Sequence, residues 1–402
     1  MLGEQRAHGH PPEEGAVLVV ADSLRDNGGL RVSLEYARQW RRMGAATRVA
    51  VVQDVADTAL AEADPSVPLT FLTPRNSRFR YTWPLALARL VREARRSDAV
   101  LAGSETGIGL VLGFVAATVT RRPFAVLVQA DLDDAIATWV PRPLRPVTRF
   151  AHAHADVAVS VADSIVPGVV ANGLPPERVR VVVNGIDVGR VRELAGLPVD
   201  PAGTGERPPP GDPPVILGQG RLSVQKDFPL LIRAHARVLA AGVAHRLVII
   251  GSGPVRDELA ALVAELGVGD TVELAGYVDN PYPTLSTADL FVLSSNSEGM
   301  PLTIMEALAV GVPIVATRCG TGVELLLGDD VHGQIVPVGD VDALATAIEG
   351  HLRAPAVLVE RASHGPQQAM SFDVAHSART ILDLLRGLSR SDAARRAPTG
   401  VT

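Results

Sequence analysis

Residues 294–306 read Ser294-Ser295-Asn296-Ser297-Glu298-Gly299-Met300-Pro301-Leu302-Thr303-Ile304-Met305-Glu306. The apolar run before them, 288–293, reads as a buried strand, and 303–310 reads as the opening turns of a helix. The order is strand, loop, helix. Gly299 lets the backbone come close to a ligand, and Pro301 suits a helix start, where free N–H groups and the positive end of the dipole face outward. That arrangement suits a phosphate. Glu298 lies in the loop and Glu306 about two helical turns further on, so both carboxylates could line one elongated pocket and accept hydrogen bonds from hydroxyls such as those of a sugar and a ribose.

Upstream stands a second segment, Gly220-Arg221-Leu222-Ser223-Val224-Gln225-Lys226-Asp227. Taken with it, Glu298 and Glu306 around Gly-Met-Pro-Leu resemble the E-x7-E signature of the retaining GT-B glycosyltransferases of the GT4 type, which use nucleotide-diphosphate sugars. The acidic pair alone would read as a solvated helix face. The resemblance spans about residues 16–388 and implies an α/β chain of GT-B architecture: two doubly wound, Rossmann-like parallel-sheet domains facing each other across a cleft. It implies catalytic roles for Arg221, Lys226 and Glu298, the two cations neutralising the departing diphosphate. It places Gly28, Gly29, Gly299, Met300, Pro301, Leu302, Thr303 and Glu306 around the donor, with Glu306 on the ribose and Glu298 on the transferred sugar. The plainer alternatives are a surface turn for Arg221 and Lys226, and a dipole-favoured helix acid for Glu306.

At 402 residues the chain is long enough for two cores, since single cores stop growing near ~250–300 residues. Hydrophobic residues make up 47% and aromatics only 4%, so Ala, Val, Leu and Ile must build the interior, which favours α/β. A net charge of −6 argues against a general nucleic-acid binder. The lone Cys319 excludes an internal disulfide and fits a reducing compartment. Residues 1–15 are polar and lack the apolar segment of a signal peptide, and no apolar run reaches the ~20 residues of a membrane span. A cytoplasmic location follows as the expectation, with peripheral contact at the inner membrane face left open.

The expected organisation is a disordered tail (1–15), an acceptor-side domain (16–197), a Pro- and Gly-rich linker (198–214), a nucleotide-sugar domain (215–370), a helix crossing back to the first domain (371–388) and a disordered tail (389–402). Strands are expected at 16–21, 47–52, 69–72, 99–102, 124–128 and 156–160, then 215–219, 246–250, 271–276, 288–293, 313–317 and 333–337. Asn27-Gly28-Gly29 between strand and helix resembles the family's first glycine loop, whose N–H groups approach the donor diphosphate; by itself it reads as an ordinary turn. A helix over 83–96 sets Leu85, Leu87, Leu90 and Val91 against Arg89, Arg92, Arg95 and Arg96. Its basic side reads first as a solvated face, with an anionic surface or acceptor as the alternative.

On the acceptor side, Glu105 follows one strand, and Gln129-Ala130-Asp131-Leu132-Asp133-Asp134 follows another. Many GT4 enzymes carry histidine where Gln129 stands, and glutamine cannot serve as a general base. Asp131-x-Asp133 invites a metal reading, but it lies away from the diphosphate motifs; acceptor contacts or a simple loop cap are preferred, and no metal or other cofactor is expected. Gly251-Ser252-Gly253 lacks the third glycine of a dinucleotide fingerprint, with Arg256 in its place. The function expected is retaining transfer of a hexose-type sugar, UDP-sugar favoured, to a glycan, lipid-linked glycan, aminocyclitol or natural-product hydroxyl. A GT-B-fold epimerase, a phosphorylase and a silent nucleotide-sugar-binding module are the alternatives.

Overall fold

The computed structural model describes residues 16–24, 28–53, 67–199 and 213–396. The expected N-terminal tail, Asn27 of the glycine loop, linker residues 200–212 and residues 397–402 lie outside the described residues.

The first lobe holds a seven-stranded, wholly parallel sheet in the order β3-β2-β1-β4-β5-β6-β7. Its strands are β1 (Val17–Ala21), β2 (Thr47–Val51), β3 (Leu69–Phe71), β4 (Ala99–Ala102), β5 (Phe124–Val128), β6 (Val157–Ser160) and β7 (Val179–Val181). The second lobe holds a six-stranded parallel sheet, β10-β9-β8-β11-β12-β13. Its strands are β8 (Val215–Gln219), β9 (Arg246–Ile250), β10 (Val272–Gly276), β11 (Leu290–Leu293), β12 (Ile314–Thr317) and β13 (Gln334–Val336). The central strands of both sheets are mostly apolar runs rich in Val, Leu, Ile and Ala because helices cover both faces.

The helices of the first lobe are α1 (Gly28–Arg42), α2 (Phe79–Arg95), α3 (Ile108–Thr120), α4 (Leu132–Trp139), α5 (Arg145–Ala153) and α6 (Val166–Ala171); α7 (Val188–Leu194) comes before the linker in sequence but packs against the second lobe, where Arg192 Nη1 donates to Ala309 O at 2.9 Å. Those after the linker are α8 (Phe228–Ala240), α9 (Arg256–Glu265), α10 (Tyr282–Thr287), α11 (Leu302–Val310), α12 (Thr321–Leu327), α13 (Val341–Arg353), α14 (Ala356–Ser363), α15 (Gly365–Met370) and α16 (Val374–Arg396). α2 begins at Phe79, ahead of the expected 83, and takes Pro84 inside it. Proline usually marks a first turn, which is why the sequence puts the start too late. Leu85, expected on the core side, faces out, and Ala86, Leu90 and Ala94 take the buried stripe.

α16 packs on α1, where Trp40 Nε1 donates to Ala378 O at 2.6 Å and Ser377 Oγ donates to Val183 O at 2.7 Å. It runs to Arg396, so the tail expected from 389 begins as helix; its polar composition hides it, because little apolar periodicity marks those last turns. The chain passes between lobes a second time at residues 370–374, where a Cβ on Gly185 would lie 2.6 Å from both Phe372 O and Val374 N.

In a doubly wound sheet, ligands bind beyond the carboxyl ends of the strands where the winding reverses. That point falls between β1 and β4 in the first lobe and between β8 and β11 in the second. Gly220 to Lys226 follow β8, and Ser294 to Glu298 follow β11. The two motifs far apart in sequence therefore leave adjacent strands side by side.

Candidate active site

Lys226 Nζ meets Glu298 Oε1 at 2.5 Å, and Ser295 Oγ donates to the same carboxylate oxygen at 2.7 Å. One backbone bond and two from side chains lock the two loops together: Asn296 N donates to Gln225 O at 2.8 Å, Gln225 Nε2 to Ser297 O at 2.7 Å and Ser294 Oγ to Lys226 O at 2.9 Å. An ammonium has three donors, so Lys226 can bind an anion without releasing Glu298. Gly220 keeps the lysine stem in place, since a Cβ there would lie 3.1 Å from Lys226 Cε. Arg221 is exposed at this turn and, among the described residues, its side chain makes no hydrogen bond or ion pair.

Gly251 and Gly253 have a structural task. A Cβ on Gly251 would lie 1.8 Å from Gly220 O, and one on Gly253 would lie 2.1 Å from Leu222 O. The pair lets the β9 loop press on the Gly220-Arg221-Leu222 turn, so the glycines that mimic a dinucleotide fingerprint support the cationic loop instead.

α11 begins with Pro301 at its N-cap and no side-chain cap, leaving the first N–H groups, Leu302 and Thr303, at the helix tip. Thr303 Oγ1 is shut away from solvent with no hydrogen-bond partner. Five residues after Pro301, Glu306 is buried at 4% exposure; Tyr282 OH donates to its Oε1 at 3.1 Å, and Gln219 Nε2 to its Oε2 at 3.2 Å. Gln219 Oε1 is also buried without a partner. Buried polar atoms lacking partners are uncommon. Two of the eight such atoms among the described residues lie beside the helix tip and Glu306. Burial, and then the Glu306 charge, pushes the Tyr282 hydroxyl upward, while Arg31 of α1 and Arg190 of α7 pull it down. Arg31 therefore brings the start of α1, next to Gly28 and Gly29, into electrostatic range of the Tyr282 hydroxyl. Met300 is buried, and its sulfur would lie 2.9 Å from a Cβ on Gly322. Cys319 donates no chemistry here: burial and the neighbouring Glu298 push its thiol up to about 12.

The lobes touch at this place. A Cβ on Gly299 would sit 2.6 Å from Gln129 O and 2.8 Å from Ile165 Cδ1, and Thr321 Oγ1 donates to Ser164 Oγ at 3.1 Å. Gln129 is a brace: Nε2 donates to Gly29 O at 3.2 Å and Gly103 O at 3.4 Å, and its N–H donates to Glu105 Oε2 at 3.3 Å. Glu105 is buried, which pushes its carboxyl up to about 7. Asp131 Oδ1 accepts from Asp134 N at 3.0 Å and so caps α4. Asp133 accepts from Asn172 Nδ2 at 3.0 Å and faces Arg149 at 3.8 Å. The loop-cap reading of this pair fits these bonds.

Sequence reasoning missed Gln219, Tyr282, Ser295 and Arg31. Tyr282 opens the short helix α10, and its side chain reaches Glu306. The other three stand at the ends of strands or at a helix start, where no local pattern announces a role.

Two family profiles tile the chain: "Glycosyl transferase 4-like domain" matches residues 27–185 and "Glycosyl transferases group 1" matches 213–354. The chain belongs to the group 1, GT4-type glycosyltransferase family. Among curated proteins, the lipopolysaccharide core biosynthesis glycosyltransferase LpsE of Rhizobium meliloti is 37% identical over 42% of this chain and 46% of its own length. An N-acetylgalactosaminyltransferase of Campylobacter jejuni, acting on an N-acetylgalactosamine-N,N'-diacetylbacillosaminyl-diphospho-undecaprenol, is 33% identical over 43% of this chain and 46% of its own. The chain thus spans about half the length of these relatives. Among solved structures, Anabaena HepE in complex with UDP and glucose superposes with TM-score 0.74 at 22% identity, covering 92% of this chain and 98% of that one. The glycosyltransferase WaaG, involved in lipopolysaccharide biosynthesis, gives 0.69 at 14%, covering 92% and 100%. Both establish the GT-B fold of the family member described here.

Proposed function

We propose that this GT4-type chain is a retaining transferase that moves a hexose-type sugar from UDP to an acceptor hydroxyl. One observation carries it: Lys226, Glu298, the uncapped start of α11 and the partnerless Thr303 Oγ1 and Gln219 Oε1 converge at the switch point of the second lobe. In this reading the diphosphate lies on the α11 tip, held by the N–H groups of Leu302 and Thr303, the Arg221 guanidinium and the Lys226 ammonium. These donors stabilise the charge that develops as the glycosidic bond breaks, and preorganised stabilisation of that kind usually lowers the barrier more than any other single effect. Glu306, oriented by Tyr282 and Gln219, receives the ribose hydroxyls; Glu298, held by Lys226 and Ser295, receives those of the sugar. The acceptor attacks from the face the diphosphate leaves, and a phosphate oxygen takes its proton.

The pyrophosphate charge is matched by Arg221, Lys226 and the helix tip, so the mechanism assigns no step to a metal. UDP is favoured because the fold neighbour HepE is solved with UDP, with UDP and glucose, and with UDP-glucose. The curated relatives act in lipopolysaccharide core synthesis and on a diphospho-undecaprenol-linked glycan, which supports a growing envelope glycan as acceptor. The test is thermal unfolding in the presence of UDP, GDP and dTDP. Ligand at 100 times its Kd stabilises the native state by about 2.7 kcal/mol, so UDP should raise Tm by a few degrees and the others by less. A flat response to all three defeats the proposal, and a response to GDP or dTDP alone reassigns the donor.

A further inference from the structure

α7 packs on α10, α11 and α15 of the second lobe, and three of its residues hold that lobe close to the proposed nucleotide site. Arg192 Nη1 donates to Ala309 O, in the last turn of α11. Leu194 O accepts from Asn280 Nδ2 at 2.9 Å, two residues ahead of Tyr282. Arg190 lies within electrostatic range of the Tyr282 hydroxyl. α7 is therefore fastened to the helix that carries Glu306 and the free N–H groups, and to the residue that orients Glu306.

At the start of α7 stands Asp187, a half-buried carboxylate that is used twice. Its Oδ1 accepts from Arg190 N at 2.9 Å and so caps α7. Its Oδ2 faces two arginines of α1, Arg42 Nη1 at 3.2 Å and the buried Arg38 Nη2 at 3.4 Å. α1 belongs to the first lobe: Gly29 O near its start accepts from Gln129 Nε2 and Ser33 Oγ, and Tyr36 OH donates to Asn184 Oδ1 at 3.0 Å. The backbone beside Asp187 is pinned as well. Ile186 N donates to Phe372 O and Val374 N to Ile186 O, both at 3.1 Å, so the two chain crossings between the lobes lie zipped side by side. A helix cap needs only an acceptor oxygen, which asparagine supplies as well as aspartate. Two guanidinium groups drawn from the other lobe need a charge.

We propose that Asp187 is a positioning residue whose charge holds α1, and with it the first lobe, in register with α7, so that Gly29 and the α11 tip meet the same donor diphosphate. The effect on rate rests on the transferase reading; the effect on lobe geometry rests on the contacts alone. Gly29 lies nine residues from Arg38, about 14 Å along the helix. A tilt of about 4° at the clamp therefore displaces Gly29 by about 1 Å, and a displacement of that size in a reacting geometry costs about 100-fold in rate.

The test compares wild type with Asp187→Asn, which keeps the cap and loses the charge, in two assays on the full chain. In the first, spin labels on cysteines introduced at the exposed Val119 of α3 and Glu265 of α9 report the distance between the lobes; the native Cys319 is buried. Wild type should give a narrow distance distribution and Asp187→Asn a broad one. In the second, turnover of a UDP-sugar should fall about 10- to 100-fold in Asp187→Asn while UDP affinity, set mostly by the second lobe, stays within about threefold. Arg42→Gln should lower turnover less, and should cost under about twofold when added to Asp187→Asn, because the two substitutions break one interaction. Arg246→Gln, which breaks a surface pair with Glu273, should change neither assay. A broad distribution already in wild type, an unbroadened one in Asp187→Asn, or a UDP affinity that falls as far as turnover overturns the proposal; the last result makes Asp187 a support of the fold and nothing more. So does wild-type turnover in Asp187→Asn. A wild-type chain that neither binds UDP nor turns over a UDP-sugar defeats the transferase reading, and the distance distributions then decide the register claim by themselves.

Discussion

Gly299→Ala is a wedge between the lobes. The added methyl would stand 2.6 Å from Gln129 O and 2.8 Å from Ile165 Cδ1. The isoleucine end can rotate aside; the carbonyl cannot, because Gln129 is fixed through its N–H to Glu105 and through its side chain to Gly29 and Gly103. The shortfall from ordinary contact, which begins at 3.4 Å, is about 0.8 Å, and only separation of the lobes can supply it. Forcing the methyl in without separation costs about 1–3 kcal/mol, and a misplacement near 1 Å in a reacting geometry costs about 100-fold in rate. The assay pairs UDP titration with donor turnover and solution scattering. Because the proposed UDP contacts are mostly in the second lobe, UDP affinity should stay within about threefold (under ~0.7 kcal/mol), while turnover falls about 100-fold and the radius of gyration rises. Gly269→Ala, with nothing within 4 Å of its added methyl, is the control. Wild-type turnover and an unchanged scattering profile in Gly299→Ala would refute the claim that the lobes meet at this glycine.

Other outcomes follow from the same contacts. Lys226→Ala should lower transfer from the nucleotide sugar by ~100-fold or more, read from initial rates; near-wild-type rates would remove Lys226 from the chemistry. Tyr282→Phe deletes the donor to Glu306 Oε1 and should weaken UDP binding about tenfold, the scale of a hydrogen bond to a charged group; equal affinity would assign Tyr282 to packing alone. Burial holds Glu105 near 7 against an unfolded value of 4.5, so its contribution to stability is full below about 4.5 and is lost as pH rises through about 7, at up to ~1.4 kcal/mol per pH unit. His235, pushed down to about 3 by burial and His245, acts oppositely and loses stability as pH falls below 6.5. Comparing urea unfolding of wild type and Glu105→Gln between about pH 5 and 7 isolates the first effect, and identical pH slopes would contradict it. The Cys319 thiol should resist alkylation near pH 8 in the native state and react once urea unfolds the chain; rapid native labelling would contradict its burial.

Most of the architecture was legible because parallel strands buried on both faces read as mostly apolar runs, and β8 and β9 fall on their expected residues. The motif loops were legible because glycine, proline and charge must occupy fixed positions after a strand. What composition hid was structure without an apolar stripe, such as the last turns of α16, and a helix that tolerates Pro84. The site's finer wiring depends on residues brought together over long separations. Gln129 reaches Gly29 across 100 positions and Gln219 reaches Glu306 across 87, and neither contact leaves a periodic trace. Glu105 and Asp131 were expected to face an acceptor; in the fold the first is buried against the Gln129 N–H and the second caps a helix, uses that any βα loop can have.

The claim beneath all of this is that a nucleoside diphosphate lies across the α11 tip with its ribose on Glu306. Calorimetric titration of UDP into the wild-type chain and into Glu306→Ala tests it most directly. Saturable one-site binding, weakened about 10- to 100-fold in the variant, is the predicted result. Absence of binding by the wild type, or equal affinity in both, would contradict it.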